Sequence, residues 1–139
     1  MFFSLTLLTA AFFGGVAIGD NTEIIHNTDE FIEFANAIRL ETKDYSDTTV
    51  LLDSDIDLTG KQLLPINYTS KVFDGQGHKI SNLVIQSSER IVGLFMYSFS
   101  GIVKNLVLDD TCSITSSSTI SNYVNVNVGG ITGYSHGDF

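Results

Sequence analysis

Asp53, Asp55 and Asp57 alternate with Ser54, Ile56 and Leu58. Strand periodicity puts the three carboxylates on one face and Leu52, Ile56 and Leu58 on the other. Hard cations want several carboxylate oxygens, so one reading is a Ca²⁺ site or a glycan-binding face. The preferred reading is a solvated outer face, because carboxylates are mostly exposed. Asp109 and Asp110 are adjacent and would point to opposite sides of a strand, so they fit a turn better. Glycoside hydrolysis needs two carboxyls about 5–9 Å apart across a cleft. A polysaccharide lyase needs a base to abstract a proton. Lys79, Arg90 and Lys104 lie near acids but form no motif, so no catalytic residue is assigned.

Other chemistry-bearing types are equally uncommitted. Asp74-Gly75-Gln76-Gly77-His78 looks like a phosphate loop but lacks the Lys-Ser/Thr ending and a following helix. A tight corner using glycine for an unusual φ explains it better. His26, His78 and His136 are too scattered for metal spacing. Cys112 sits in a Ser/Thr-rich stretch without a marked base and reads as a small buried hydrophobe. Among the aromatics, Tyr97, Phe99, Tyr123 and Tyr134 could stack on sugars, whereas Phe73 and Phe95 fit a packed interior.

The elements that must carry these residues follow from composition and pattern. The chain has 139 residues with 16 acids and 7 bases, enough for one domain. Its net charge of −9 argues against nucleic acid as a partner. The whole imbalance lies in residues 20–57, with eleven acids against Arg39 and Lys43; the remainder is neutral. Residues 1–19 carry no charged side chain, and Ala17 and Gly19 form a small-residue cleavage pattern before Asp20. That layout predicts a signal peptide over 1–19 and a secreted or surface-displayed mature chain, with an uncleaved membrane anchor as the alternative. Asn67-Tyr68-Thr69 is an N-glycosylation sequon, so the chain is a candidate glycoprotein in a eukaryotic host.

Residues 20–48 form an N-terminal segment holding one helix. Asn27 can cap it, Glu30 completes a capping pair, and Phe31, Phe34, Ala35 and Ile38 make one apolar stripe. Residues 49–139 switch to short β runs split by Gly, Asn, Asp and Ser. Ile80–Ile85 reappears as Val103–Leu108, 23 residues on, and Val92–Ser98 is echoed by Val128–Ser135 at an offset of 36 or 37. Short strands in a repeat of this period predict a β-solenoid. Asn82 and Asn105 then fall on the same corner of successive coils, where stacked amides form a structural ladder. Gly75, Gly77, Gly93, Gly129, Gly130 and Gly133 are turn glycines.

The run Asp55–Leu58, then Phe73–Leu83, Val92-Gly93-Leu94-Phe95 and Gly129–Tyr134, resembles the GLUG-motif secreted proteins of the pectin-lyase-like right-handed parallel β-helix group. Met96 departs from the motif's second small residue, which Gly133 keeps. The resemblance implies an all-β right-handed parallel β-helix, a short solenoid of about three coils, whole or truncated, with an N-terminal capping α-helix. It does not imply an activity, because the fold hosts many. The expected function is structural or adhesive, with contacts to glycans or a cell surface and edge-to-edge self-association through the open last coil. A polysaccharide lyase or hydrolase is the alternative, and a gene fragment without an independent role is a third. No cofactor is expected apart from a possible Ca²⁺.

Overall fold

The computed structural model describes residues 11–13, 16–18, 21–68, 70–98, 101–119 and 125–136. β1 (Ala11–Phe13) and β2 (Val16–Ile18) pair antiparallel. They lie in the segment read as an export signal, and its cleavage point at Gly19 and Asp20 falls outside the described residues. No described helix is long and apolar enough to cross a membrane.

β3 (Thr22–Ile25) precedes α1 (Thr28–Arg39). Asn27 Oδ1 accepts from the Glu30 N–H at 3.0 Å. Glu30 reaches back one residue further than a capping box requires, accepting from the His26 N–H at 2.8 Å and from the Asn27 amide at 2.9 Å. Asp29 and Glu30 sit in the first turn and Arg39 in the last, which suits the helix dipole. The stripe Phe31, Phe34, Ala35 and Ile38 is fully buried, as its spacing predicts.

Three parallel passes follow. The first holds β4 (Thr49–Leu52), β5 (Ile56–Asp57) and β6 (Ile66–Tyr68). The second holds β7 (Val72–Asp74), β8 (Lys79–Ser81), β9 (Val84–Ser87), β10 (Ile91–Val92) and β11 (Phe95–Ser98). The third holds β12 (Ile102–Lys104), β13 (Val107–Leu108), β14 (Ser113–Ser116), β15 (Asn127–Val128) and β16 (Thr132–Ser135). Every third-pass strand lies on a second-pass strand, and β7, β8 and β11 lie in turn on β4, β5 and β6, giving the orders β12-β7-β4-β3, β13-β8-β5, β14-β9, β15-β10 and β16-β11-β6. The ladder thus begins at β3, inside the segment read as a helical cap. All-β architecture with parallel sheets and one short helix is therefore established.

Between the sheets lies one apolar core. Phe73 stands at its centre, with ring centroids 6.4 Å from Phe31, 5.6 Å from Phe34 and 5.3 Å from Phe95. α1 lays its stripe over β5 and β6, closing the core at the first-pass end. Aromatic edge and tilted contacts of this kind add to the area each ring removes from water.

Register corrects the 23-residue repeat as a stacking period. Lys104 pairs with Asp74, an offset of 30, and Leu108 with Ile80, an offset of 28. Asn105 therefore lies over the Gly75–Gly77 corner and not over Asn82. Local chain shape explains the sequence match. Both residues end a strand with the backbone in the left-handed region, φ 55° at Asn82 and 51° at Asn105, which Asn tolerates. The same corner device is used after β8 in the second pass and after β12 in the third. The second echo does stack: Val92 pairs with Val128, Phe95 with Thr132 and Tyr97 with Tyr134, so its offsets of 36 and 37 mark one inserted residue.

Candidate functional site

The three first-pass carboxylates occupy the more exposed positions between buried Leu52, Ile56 and Leu58. The chain bends at Ser54, whose hydroxyl donates to the His26 carbonyl at 2.6 Å, and each carboxylate meets different partners. Asp53 contacts the His26 ring. Asp55 accepts from the Lys79 N–H at 3.1 Å and faces His78 Nδ1 at 3.2 Å. Asp57 accepts from the Thr59 N–H and hydroxyl at 2.9 and 2.7 Å and from the Asn82 amide at 2.9 Å. Among the described residues, no three His, Cys, Asp or Glu side chains come together to hold a metal ion. Each of Asp53, Asp55 and Asp57, the residues of the expected Ca²⁺- or glycan-binding face, thus has its own hydrogen-bond partner within the chain. Leu52, Ile56 and Leu58 are buried, as expected of the opposite face.

These carboxylates are bolts between passes. Asp57-x-Thr59 and Asp109-x-Thr111 make the same local turn. Between them, Asn82 donates to Asp57 from one side, while the Ser81 hydroxyl donates to Asp109 at 2.6 Å. The Asn82 N–H donates to Thr111 Oγ1 at 2.7 Å. Hydrogen bonds from Thr59 and Asn82 hold the Asp57 carboxyl below its ordinary range. Those from Ser81 and Thr111 lower Asp109 to about 2. The Lys79 N–H likewise lowers Asp55.

A second bolt is interior. Asp74 is 1% exposed. It accepts from the Gln76 N–H at 2.9 Å and the Asn105 amide at 3.0 Å, and the Lys104 ammonium lies 3.4 Å away. Burial opposes its ionisation, but these donors outweigh burial and its pKa is lowered. The Gly75 and Gly77 amides donate to Lys104 O and Asn105 O at 2.9 and 2.8 Å. With Gln76 N–H on Asp74, the loop offers no amide nest to a phosphate.

The turn glycines serve different needs. Gly77 has φ +83° and uses the conformational freedom read from the sequence; a Cβ on Gly75 would instead lie 2.5 Å from Asn105 O. Gly93, Gly129 and Gly133 are close-approach positions as well, while a Cβ on Gly130 would meet only the Leu108 side chain at an ordinary 3.7 Å.

A groove with binding character lies elsewhere. β6, β11 and β16 align Tyr68, Tyr97 and Tyr134 in one column, about one strand spacing of 4.8 Å per step along the backbone. The Tyr97 and Tyr134 ring centroids are 6.5 Å apart at 64°. Beside Tyr68 and Tyr97 opens a groove of about 680 Å³, floored by Leu64, Pro65 and Met96 and edged by Arg39, Asn67 and Glu89. Asn67 of the sequon thus borders the groove, while Thr69 lies outside the described residues. Tyr97 and Tyr134 were among the aromatics named from sequence. Phe73 and Phe95 are wholly buried, as expected, and Phe99 and Tyr123 lie outside the described residues. Tyr68, Arg39 and Glu89 were missed. The signal for Tyr68 is its 29-residue offset from Tyr97, visible only once register is known. Cys112 is half-buried, its thiol 3.2 Å from the Ile80 carbonyl. No protein-family model, curated protein or solved structure matches the chain.

Proposed function

We propose that this chain is a secreted or surface-displayed right-handed parallel β-helix of the pectin-lyase-like kind, with a structural or adhesive role exercised by holding a glycan against its tyrosine column. Three parallel passes closed at one end by α1 support the solenoid reading. The single observation that carries the binding role is the groove lined by Tyr68 and Tyr97, which pair in register and are continued along the column by Tyr134. A ladder of aromatic rings offers flat apolar faces with polar hydroxyl handles, which suits the apolar faces and hydroxyl rims of sugars. Arg39, Asn67 and Glu89 supply hydrogen-bonding groups at the edge.

The test is a glycan array probed with the full chain, with and without Ca²⁺, against Tyr97→Ala and Tyr97→Phe variants. Binding is expected to fall about fivefold in Tyr97→Ala, since a stacked ring contributes on the order of 1 kcal/mol. Tyr97→Phe should retain most of it, and Ca²⁺ should not matter. Absence of binding to any glycan overturns the reading. Release of reducing or unsaturated ends would replace it with the lyase or hydrolase alternative.

A further inference from the structure

The third pass supplies the terminal strand of all five parallel sheets, with β12, β13, β14, β15 and β16 all lying at the same end. Its side chains form an apolar layer that no other described residue covers. Val103, Leu108, Ile114 and Val128 pair with Phe73, Ile80, Ile85 and Val92, each of which is 0% exposed. The upper members are half-exposed, and Val128 reaches 50%. Open strand edges above an apolar layer form a template for another chain.

We infer that this layer binds a second copy of the chain tail to tail, third pass against third pass, about a two-fold axis. The two ends of the molecule differ in charge and covering. Residues 20–57, at the α1 end, carry the entire net charge of −9, and α1 exposes Asp29 and Glu33. The third pass from residue 101 to 136 carries only Lys104, Asp109 and Asp110, and Asp109 is tied to Ser81 and Thr111. Head-to-tail stacking would press an acidic helix onto the apolar layer and bury carboxylates without partners, which is costly. Tail-to-tail stacking matches apolar to apolar and holds the acidic ends apart. It is also isologous and self-limiting, so it covers the open edges without building a filament.

Sedimentation of the full chain across micromolar concentrations is expected to show a monomer–dimer equilibrium. Val128→Lys, at a half-exposed position the monomer tolerates, should raise the dissociation constant roughly tenfold or more by burying an unpaired ammonium. Leu40→Lys, at the α1 end where Leu40 is 58% exposed, should leave it unchanged. Spin labels at residue 128, in a Cys112→Ser background, should give one short inter-label distance, and labels at residue 40 should give none. A monomer throughout overturns the inference. So do oligomers that keep growing with concentration, or a short distance between labels at residue 40.

Discussion

Phe73, Ile80, Ile85 and Val92 in the second pass each lie beneath a third-pass strand and are completely dry. Val103, Leu108, Ile114 and Val128, their register partners one pass on, are of the same chemical kind yet stand half in water. Residue type does not separate the two sets. What separates them is the presence of a further layer above, and for the first two passes that layer is supplied partly by α1. Burial in such a stack belongs to position along the axis, because each pass hides only the face of the pass beneath it.

The comparison breaks most visibly at Phe73. Replacing it with Ala removes the ring that Phe31, Phe34 and Phe95 all touch and should cost about 3–5 kcal/mol. Ile114→Ala in the third pass should cost only about 1 kcal/mol, since its side chain gives up less area on truncation. Urea unfolding of both variants at low protein concentration measures the difference. The gap should narrow at high concentration, because a docked second copy would bury Ile114. Equal costs at all concentrations would mean that the third pass is as well covered as the second.

The carboxylate bolts sharpen the same contrast. Asp74 lies inside and answers three donors, so Asp74→Ala should cost about 2–4 kcal/mol by leaving Asn105, Gln76 and Lys104 unpaired. Asp109 is on the outside and its loss should cost less. Both have folded pKa values below the ordinary 3.8, Asp109 at about 2. The unfolded chain therefore binds more protons between these values, and stability rises with pH there. The stabilisation is complete above about pH 5 and disappears as pH falls through the folded values toward about 2. Urea midpoints should drop over that window in the native chain. In Asp74→Asn they should drop less steeply, and an unchanged slope would remove Asp74 from the inter-pass bolts.

Much of the scaffold was legible in the sequence. The α1 stripe and its Asn27 cap could be read because helical periodicity and capping depend on neighbours in the chain. Most strand positions were legible for the same local reason, as was the bend at each Asn. Stacking register was not. The 23-residue match reflected a corner motif repeated along the path, and only the neighbouring pass decides that Asn105 stands over Gly75 and not over Asn82. β14 hid in Ser113–Ser116, where Ser and Thr side chains gave no apolar alternation. The groove was illegible because Arg39, Asn67 and Tyr97 come from a helix end and two passes, and meet only after register is set. The outward placement of Asp55 and Asp57 between buried Ile56 and Leu58 was legible from period 2, whereas their partners His78, Lys79 and Asn82 come from the next pass and were not.

The smallest expected effects test that account at the glycines. A Cβ on Gly93 would lie 2.5 Å from the Gly133 N and 2.8 Å from the Phe95 carbonyl oxygen, all backbone that must shift. Gly93→Ala should therefore cost about 1–3 kcal/mol through overpacking between the second and third passes. Gly130 belongs to the same motif echo, but its Cβ would meet only the Leu108 side chain at an ordinary 3.7 Å. Its backbone is not in the left-handed region, so Gly130→Ala should be neutral or stabilising by up to about 1 kcal/mol, as the unfolded chain loses freedom. Thermal unfolding of the two variants distinguishes a glycine held by a neighbouring pass from one that merely sits in a bend. If Gly130→Ala destabilises as much as Gly93→Ala, Gly130 is held by packing within the stack and does not merely sit in a bend.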